Sequence, residues 1–418
     1  MNVTIQPSKI CGEIVAPPSK SYAHRILIAA YLSGQKVRVH NAGDSNDVKA
    51  TVGALKSLGA QIETSDGTVT IQRKSIPSKA TVDCNESGST LRFLLPIAAA
   101  LGVNANFTGK GRLLSRPIQE LAQALNGNGA KIDASSTDAF YVSGKLSAGE
   151  FIIPANISSQ YITGLLFALP LLDGDSKITL VGETVSVGYL DITLDVLQRF
   201  GIQIERTDYG YFVKGNQRYN SASDVTVEGD YSGAAFMLSL GAICGNVTVK
   251  GLNALTMQGD AQIVSVLQKF GANVSVCDDC VCVGKHNLNA IELDCENIPD
   301  LVQIISVVAA YAKGVTVLKN INRLRLKESD RVQAIIDQLH AAGVRCDCDN
   351  GCLFIHGGAP HGATFSGGND HRTVMSATVL ALGANGKSTV IGCEPFTKSY
   401  PSFYNDISKL GGQINVDV

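Results

Sequence analysis

Five basic residues, Lys20, Arg116, Arg331, Arg372 and Lys398, stand at or just before the expected starts of helices. A cation there opposes the helix macrodipole, so the position is unfavourable by itself. It turns favourable around a phosphate or carboxylate, because backbone N–H groups and the side chain then converge on one anion. Five equivalent cases point to anionic small molecules as ligands. Other helix starts carry Ser158-Ser159-Gln160, Ser186 and Gln258, where the serines also read as N-caps. Two carboxylates, Asp300 and Glu328, interrupt the basic set. A pure anion receptor gains nothing from them. Their structural reading is capping for Asp300 and an exposed partner of Arg331 for Glu328. Their chemical reading is proton transfer, since cations nearby tune a carboxylate as acid or base.

The elements that place these residues come from a repeat. Glycines at 59, 129, 201, 271, 343 and 411 recur at intervals of 68 to 72 residues. A second series at 34, 102, 174, 245, 314 and 386 keeps the same range of intervals. Each glycine is expected to close a helix, where a left-handed residue is wanted. The second series ends strongly apolar stretches such as RILIAAYLSG and LVQIISVVAAYAKG, and the first ends amphipathic ones such as ITLDVLQRFG. β-rich runs and hairpins follow them. One unit therefore reads strand, apolar helix, strand, amphipathic helix, strand, strand.

The sixth unit stops at QINVDV, one strand short of a hairpin. Val3-Thr4-Ile5-Gln6 is the expected missing partner, so residues 1–18 are assigned to the last repeat. Three units per domain give an N-terminal domain over 19–228. The C-terminal domain is then 1–18 with 229–418, with an active-site cleft expected between the two. Two chain crossings suit a hinge.

A length of 418 residues suits two domains, and a formal net charge of −2 argues against a general nucleic-acid binder. No run of 18 apolar residues is present, and MNVTIQPSKI lacks a signal-peptide layout, so the expected location is the cytoplasm. Eleven cysteines without a secretion signal read as reduced thiols. The clusters Cys277, Cys280, Cys282 and Cys346, Cys348, Cys352 are expected to be structural, with no metal bound. The second cluster straddles a hairpin turn at Asp349-Asn350-Gly351.

The motifs in their order resemble the 3-phosphoshikimate 1-carboxyvinyltransferase (EPSP synthase) family over essentially the whole chain. The N-terminal carriers are Pro18-Ser19-Lys20-Ser21 with Arg25, Gly88-Ser89-Thr90-Leu91-Arg92, Arg116-Pro117-Ile118 and Ser158-Ser159-Gln160. The C-terminal ones are Gln258-Gly259-Asp260, Ile298-Pro299-Asp300, Lys327 to Arg331, Asn369 to Arg372, and Lys398. The resemblance implies a two-domain inside-out α/β barrel of six βαβαββ repeats. It implies phosphoenolpyruvate held by Lys20, Gly88, Arg116, Gln160, Arg331, Arg372 and Lys398. It implies shikimate 3-phosphate held by Lys20, Ser21, Arg25, Ser158, Ser159, Gln160, Ser186, Asp300 and Lys327. The catalytic candidates are Asp300, Glu328 and Lys20, with no cofactor and a monomeric chain. Pro18, Glu86, Phe93 and Arg323 depart from the family pattern and bear on loop shape and affinity.

Two rival readings remain at this point. A UDP-N-acetylglucosamine enolpyruvyl transferase generally has asparagine after the early lysine and a cysteine in the loop near 110–116. Here Ser21 follows Lys20, and residues 111–116 hold no cysteine. A non-catalytic anion sensor would have no use for Asp300 and Glu328.

Overall fold

A computed structural model describes residues 1–417. Among the described residues, strands form six four-stranded sheets with one shared strand order. The second repeat shows the pattern. Strand Lys79–Asp83 leads through helix Gly88–Leu101 into strand Asn104–Thr108, and helix Gln119–Asn126 leads into the hairpin Ala130–Asp133 and Ala139–Gly144. The first two strands are parallel, with Lys79 opposite Asn104, as a helical crossover allows. The last strand pairs antiparallel with the second, Phe107 opposite Phe140, and carries its hairpin partner on the far side.

The chain divides into two compact units, Lys20–Val227 and Met1–Ser19 together with the chain from Glu228 onward. Each has its own apolar core. In the first unit the core is built on helices Lys20–Ser33, Gly88–Leu101 and Ser159–Ala168. In the second it is built on Tyr231–Cys244, Val302–Ala310 and His371–Gly383. These helices are buried almost all round, which is what a helix apolar on every face requires. Their amphipathic counterparts bury one face only; Gln119–Asn126, for example, buries Leu121, Ala122 and Leu125. Hence the apolar helices lie inside and the sheets outside. Close packing needs a small residue where Gly164 stands, since a Cβ there would come 2.3 Å from the Arg92 carbonyl oxygen.

All six glycines of the 59–411 series adopt φ between 74° and 95°, the left-handed cap. The other series departs at two places. Gly245 is extended, with φ 171°, and opens a strand directly. Gly174 has no positive φ, because a 3-10 turn at Leu169–Leu171 ends that helix instead.

The assignment of residues 1–18 to the last repeat needs correction. Strand Asn2–Gln6 does lie between Ser388–Ile391 and Gln413–Asp417, with Val3 opposite both Val390 and Val416. Strand Ile10–Val15, however, pairs in parallel with Gly245–Lys250 of the fourth repeat. Its counterpart Asp224–Thr226 pairs with Val37–His40 of the first repeat. The chain passes from unit to unit between an edge strand and the apolar helix that follows it. Each edge strand therefore stays in the unit it came from and fills the place its counterpart leaves.

Candidate functional site

In the unit from Glu228 onward, the polar residues gather at the first turns of three helices. Asp330 caps helix Arg331–Ala341, its carboxylate accepting from the Gln333 N–H. Arg331 is the first helical residue, and its side chain is only 1% exposed. Its Nε donates to Asp370 at 2.8 Å, Nη1 to Asp300 at 2.9 Å and Nη2 to Glu328 at 2.7 Å. Burial alone would favour loss of its proton. The carboxylates of Asp370, Glu328 and Asp300 more than offset this and raise its pKa. Asp370 caps helix His371–Gly383 and also accepts from Ser329 at 3.0 Å. Burial would raise its pKa, but Arg331 overrides that and holds the carboxyl below its ordinary value.

Asp300 joins the remaining cations. Its carboxylate lies 3.4 Å from Lys327 Nζ, 2.9 Å from Arg331 Nη1 and 3.2 Å from Arg372 Nη2. Burial pulls the Lys327 pKa down, and Asp300 works against that shift. Arg372 also donates to the Asp300 carbonyl at 2.9 Å and to Ser232 at 2.7 Å. Beside them Asp260, 5% exposed, has its pKa pushed up to about 6 by burial and then by Asp300. Lys398 donates to the Asn369 carbonyl at 2.9 Å, one residue before the Asp370 cap. Asp300 is not itself a cap: helix Val302–Ala310 has Leu301 at that position. Glu328 is half-buried against Arg331 instead of exposed.

In the unit Lys20–Val227, Gly88 opens helix Gly88–Leu101 behind the cap Ser87. A Cβ at Gly88 would lie 2.7 Å from Arg116 Nη1 and 2.8 Å from Arg92 Nη1, so any larger residue would have to push these guanidiniums aside. Arg92 donates to Gln160 Oε1 at 2.9 Å and to the Pro117 carbonyl at 2.8 Å, and Gln160 donates to Ser89 at 3.1 Å. Gly88, Arg116 and Gln160 thus share one spot. Ser158 caps helix Ser159–Ala168, accepting from the Gln160 N–H at 3.3 Å.

A second group is organised by Arg25, 3% exposed. It donates to the Ser21 carbonyl at 2.8 Å, the Tyr189 carbonyl at 3.0 Å and Thr193 at 2.8 Å. It also reaches Thr163 at 3.5 Å. The helices whose starts carry Ser21, Ser159 and Ser186 are thereby tied together. Burial lowers the Arg25 pKa to about 10. Ser186 holds φ 58° at a helix start, an uncommon backbone for a residue with a Cβ. Lys20 pairs with Asp47 at 2.8 Å.

Three site residues escape the sequence reading: Asp47, Asp370 as a partner of Arg331, and Arg92 as the clamp on Gln160. Asp370 caps its helix, and Asp47 stands in the first turn of a helix capped by Ser45, where a carboxylate suits the helix dipole. Among the described residues no group of three or more His, Cys, Asp or Glu could hold a metal.

The same architecture appears in solved structures. EPSP synthase from Acinetobacter baumannii matches with a TM-score of 0.83 at 23% identity, covering 99% of this chain and 100% of that one. The enolpyruvyl transferase NikO from Streptomyces tendae matches with a TM-score of 0.79 at 17% identity, covering 99% and 98%. The fold is thus the two-domain inside-out α/β architecture of those enzymes. The family described as EPSP synthase (3-phosphoshikimate 1-carboxyvinyltransferase) matches residues 5–407. The 3-phosphoshikimate 1-carboxyvinyltransferases of Clostridium novyi and Clostridium acetobutylicum are 38% and 39% identical to this chain, covering 99% of it and 98% of each relative. The chain belongs to the EPSP synthase family, and it is a transferase.

Proposed function

We propose that the chain transfers the enolpyruvyl group of phosphoenolpyruvate to the 5-hydroxyl of shikimate 3-phosphate and releases inorganic phosphate. The observation that carries the chemistry is Asp300 in contact with Lys327, Arg331 and Arg372, with Glu328 on the same Arg331. Cations so placed stabilise phosphate and carboxylate charge through the reaction. Carboxylates in their midst supply the proton transfers that a mere receptor would not need.

Phosphoenolpyruvate is assigned to Lys20, Gly88, Arg116 and Gln160 from one unit and to Arg331, Arg372 and Lys398 from the other. Shikimate 3-phosphate is assigned to Lys20, Ser21, Arg25, Ser158, Ser159, Gln160 and Ser186, with Asp300 and Lys327. The proposal requires both sets to act on one substrate pair. The hydroxyl attacks C2 of phosphoenolpyruvate, Asp300 taking its proton, while Glu328 delivers a proton to the methylene carbon. The resulting tetrahedral ketal phosphate loses phosphate as its methyl group gives a proton back; Lys20 is the third candidate for these transfers. Arg331 pairs with Glu328 at 2.7 Å and so favours its ionised form. An anion drawn onto Arg331 weakens that hold and lets Glu328 carry a proton.

Among the described residues no helix is long and apolar enough to cross a membrane. A monomer working in the cytoplasm, without a cofactor, is part of the proposal. The test is phosphate release from purified protein. Release is expected only when both substrates are present. Release from phosphoenolpyruvate alone at the same rate, or none from the pair, contradicts the reading.

A further inference from the structure

The cysteines among the described residues are free thiols, and two of them face each other across a turn. Strands Asn273–Val276 and Cys280–Gly284 run antiparallel with Val276 opposite Val281. One step further Cys277 meets Cys280, the Cys277 N–H donating to the Cys280 carbonyl at 2.8 Å. Residues opposed in this way have Cα atoms about 5.5 Å apart, inside the span a disulfide bridges. The facing Cys277 side chain, ahead of burial, pushes the Cys280 thiol up to about 11. Cys277 is exposed and Cys280 half-buried, so reagents reach the pair from solvent.

The neighbouring cysteines have no such partner in register. Cys282 lies opposite Ser275 and Thr248 and donates to Asn246 at 3.2 Å. Cys346, Cys348 and Cys352 oppose Ile355, Leu353 and Asp349. The charged groups around the pair are Asp278 and Asp279 in the turn and Lys250 opposite Cys280, itself paired with Glu13 at 2.7 Å. The turn also anchors a loop: the Leu252 N–H donates to the Asp279 carbonyl at 2.9 Å and the Ala254 N–H to Asp278 at 3.4 Å. That loop runs on to Gln258 and the buried Asp260.

We propose that Cys277 and Cys280 are a reversible dithiol–disulfide modification site that exchanges with small disulfides. One thiol, as thiolate, attacks a low-molecular-weight disulfide and expels one thiol from it. The second cysteine then attacks the mixed disulfide and expels the other. The two cysteines lose two hydrogens, and the reagent is reduced to two thiols. The acidic turn suits a cationic reagent.

The experiment treats the folded full-length chain with cystamine, alkylates the remaining thiols and analyses the tryptic peptide Phe270–Lys285, which contains Cys277, Cys280 and Cys282. The expected peptide carries one alkyl group, on Cys282, and is lighter by two hydrogens until dithiothreitol restores all three thiols. Cys282→Ser is expected to retain the bridge, and Cys277→Ser to stop at a mixed disulfide of Cys280 with cysteamine. Three alkylated cysteines, a persistent adduct on the unsubstituted protein, or a bridge that engages Cys282 overturns the proposal.

Discussion

Arg331 shows how a buried charge is held: three carboxylates, Asp300, Glu328 and Asp370, take all of its donor nitrogens. Such a cluster costs heavily if one member is lost, since the others stay buried with charge unbalanced. Asp260 is a buried residue whose proton responds to pH in the ordinary working range. Its folded pKa, about 6, lies above the ordinary 3.8, so the folded state holds the proton more tightly than the unfolded one. The sign follows. Its contribution to stability is fully present below pH 4 and is lost as pH rises through 6. Asp260→Asn is expected to remove that fall, on the order of 1–3 kcal/mol between pH 4 and 7. Urea unfolding of both proteins at several pH values checks it, and identical slopes would refute the assignment. The cations were legible in the sequence because each one violates the dipole rule at a helix start. Their partners Asp47 and Asp370 were not, because a carboxylate there obeys the rule and attracts no notice.

Between elements, hydroxyl chains fix the helix starts. His24 Nδ1 meets Thr51 at 2.7 Å, Thr51 meets Thr90 at 2.7 Å, and Thr90 donates to Ser87 at 2.8 Å. Burial lowers the His24 pKa well below its usual value, so the ring stays neutral in this chain. Ser87 caps the helix that begins at Gly88, so the chain links helix Lys20–Ser33 to the position of Gly88. Thr90→Val keeps the shape and removes the central hydroxyl. It is expected to cost about 1–2 kcal/mol, because Thr51 and Ser87 lose a buried partner. A shift of the urea midpoint at unchanged slope is the readout, and an unchanged midpoint would contradict it. The repeat itself was legible from the cap glycines, whose left-handed backbone leaves little choice of residue. The exception at Gly245 was not, since an extended glycine against the Ile10 carbonyl, 1.8 Å from a built Cβ, reads like any cap until the strand beside it is known.

At the scale of the molecule, one unit is a continuous stretch and the other borrows its two N-terminal strands. The pairing of Asn2–Gln6 with the last strand was legible, because a hairpin lacking one strand invites a search for it. The exchange of Ile10–Val15 and Asp224–Thr226 was not. Both strands fit either edge locally, and only the place where the chain crosses decides. The consequence is an asymmetry between fragments. Residues 20–227 contain every strand of their sheets and are expected to fold alone, with a cooperative urea transition. Residues 228–418 lack the strands that fill two sheets, so they are expected to give no cooperative transition unless residues 1–19 are joined to them. A cooperative fragment 228–418 would contradict this.

The central claim concerns Asp300 and Glu328 as groups that move protons. Isosteric Asp300→Asn and Glu328→Gln variants keep the shape of the cluster, and Arg331 retains at least two of its carboxylates in either. The measurement is kcat for phosphate release with both substrates saturating. A fall of about 100-fold or more in each variant is the expected result, the range general acid–base groups supply. Turnover within about threefold of the unsubstituted enzyme would contradict the account.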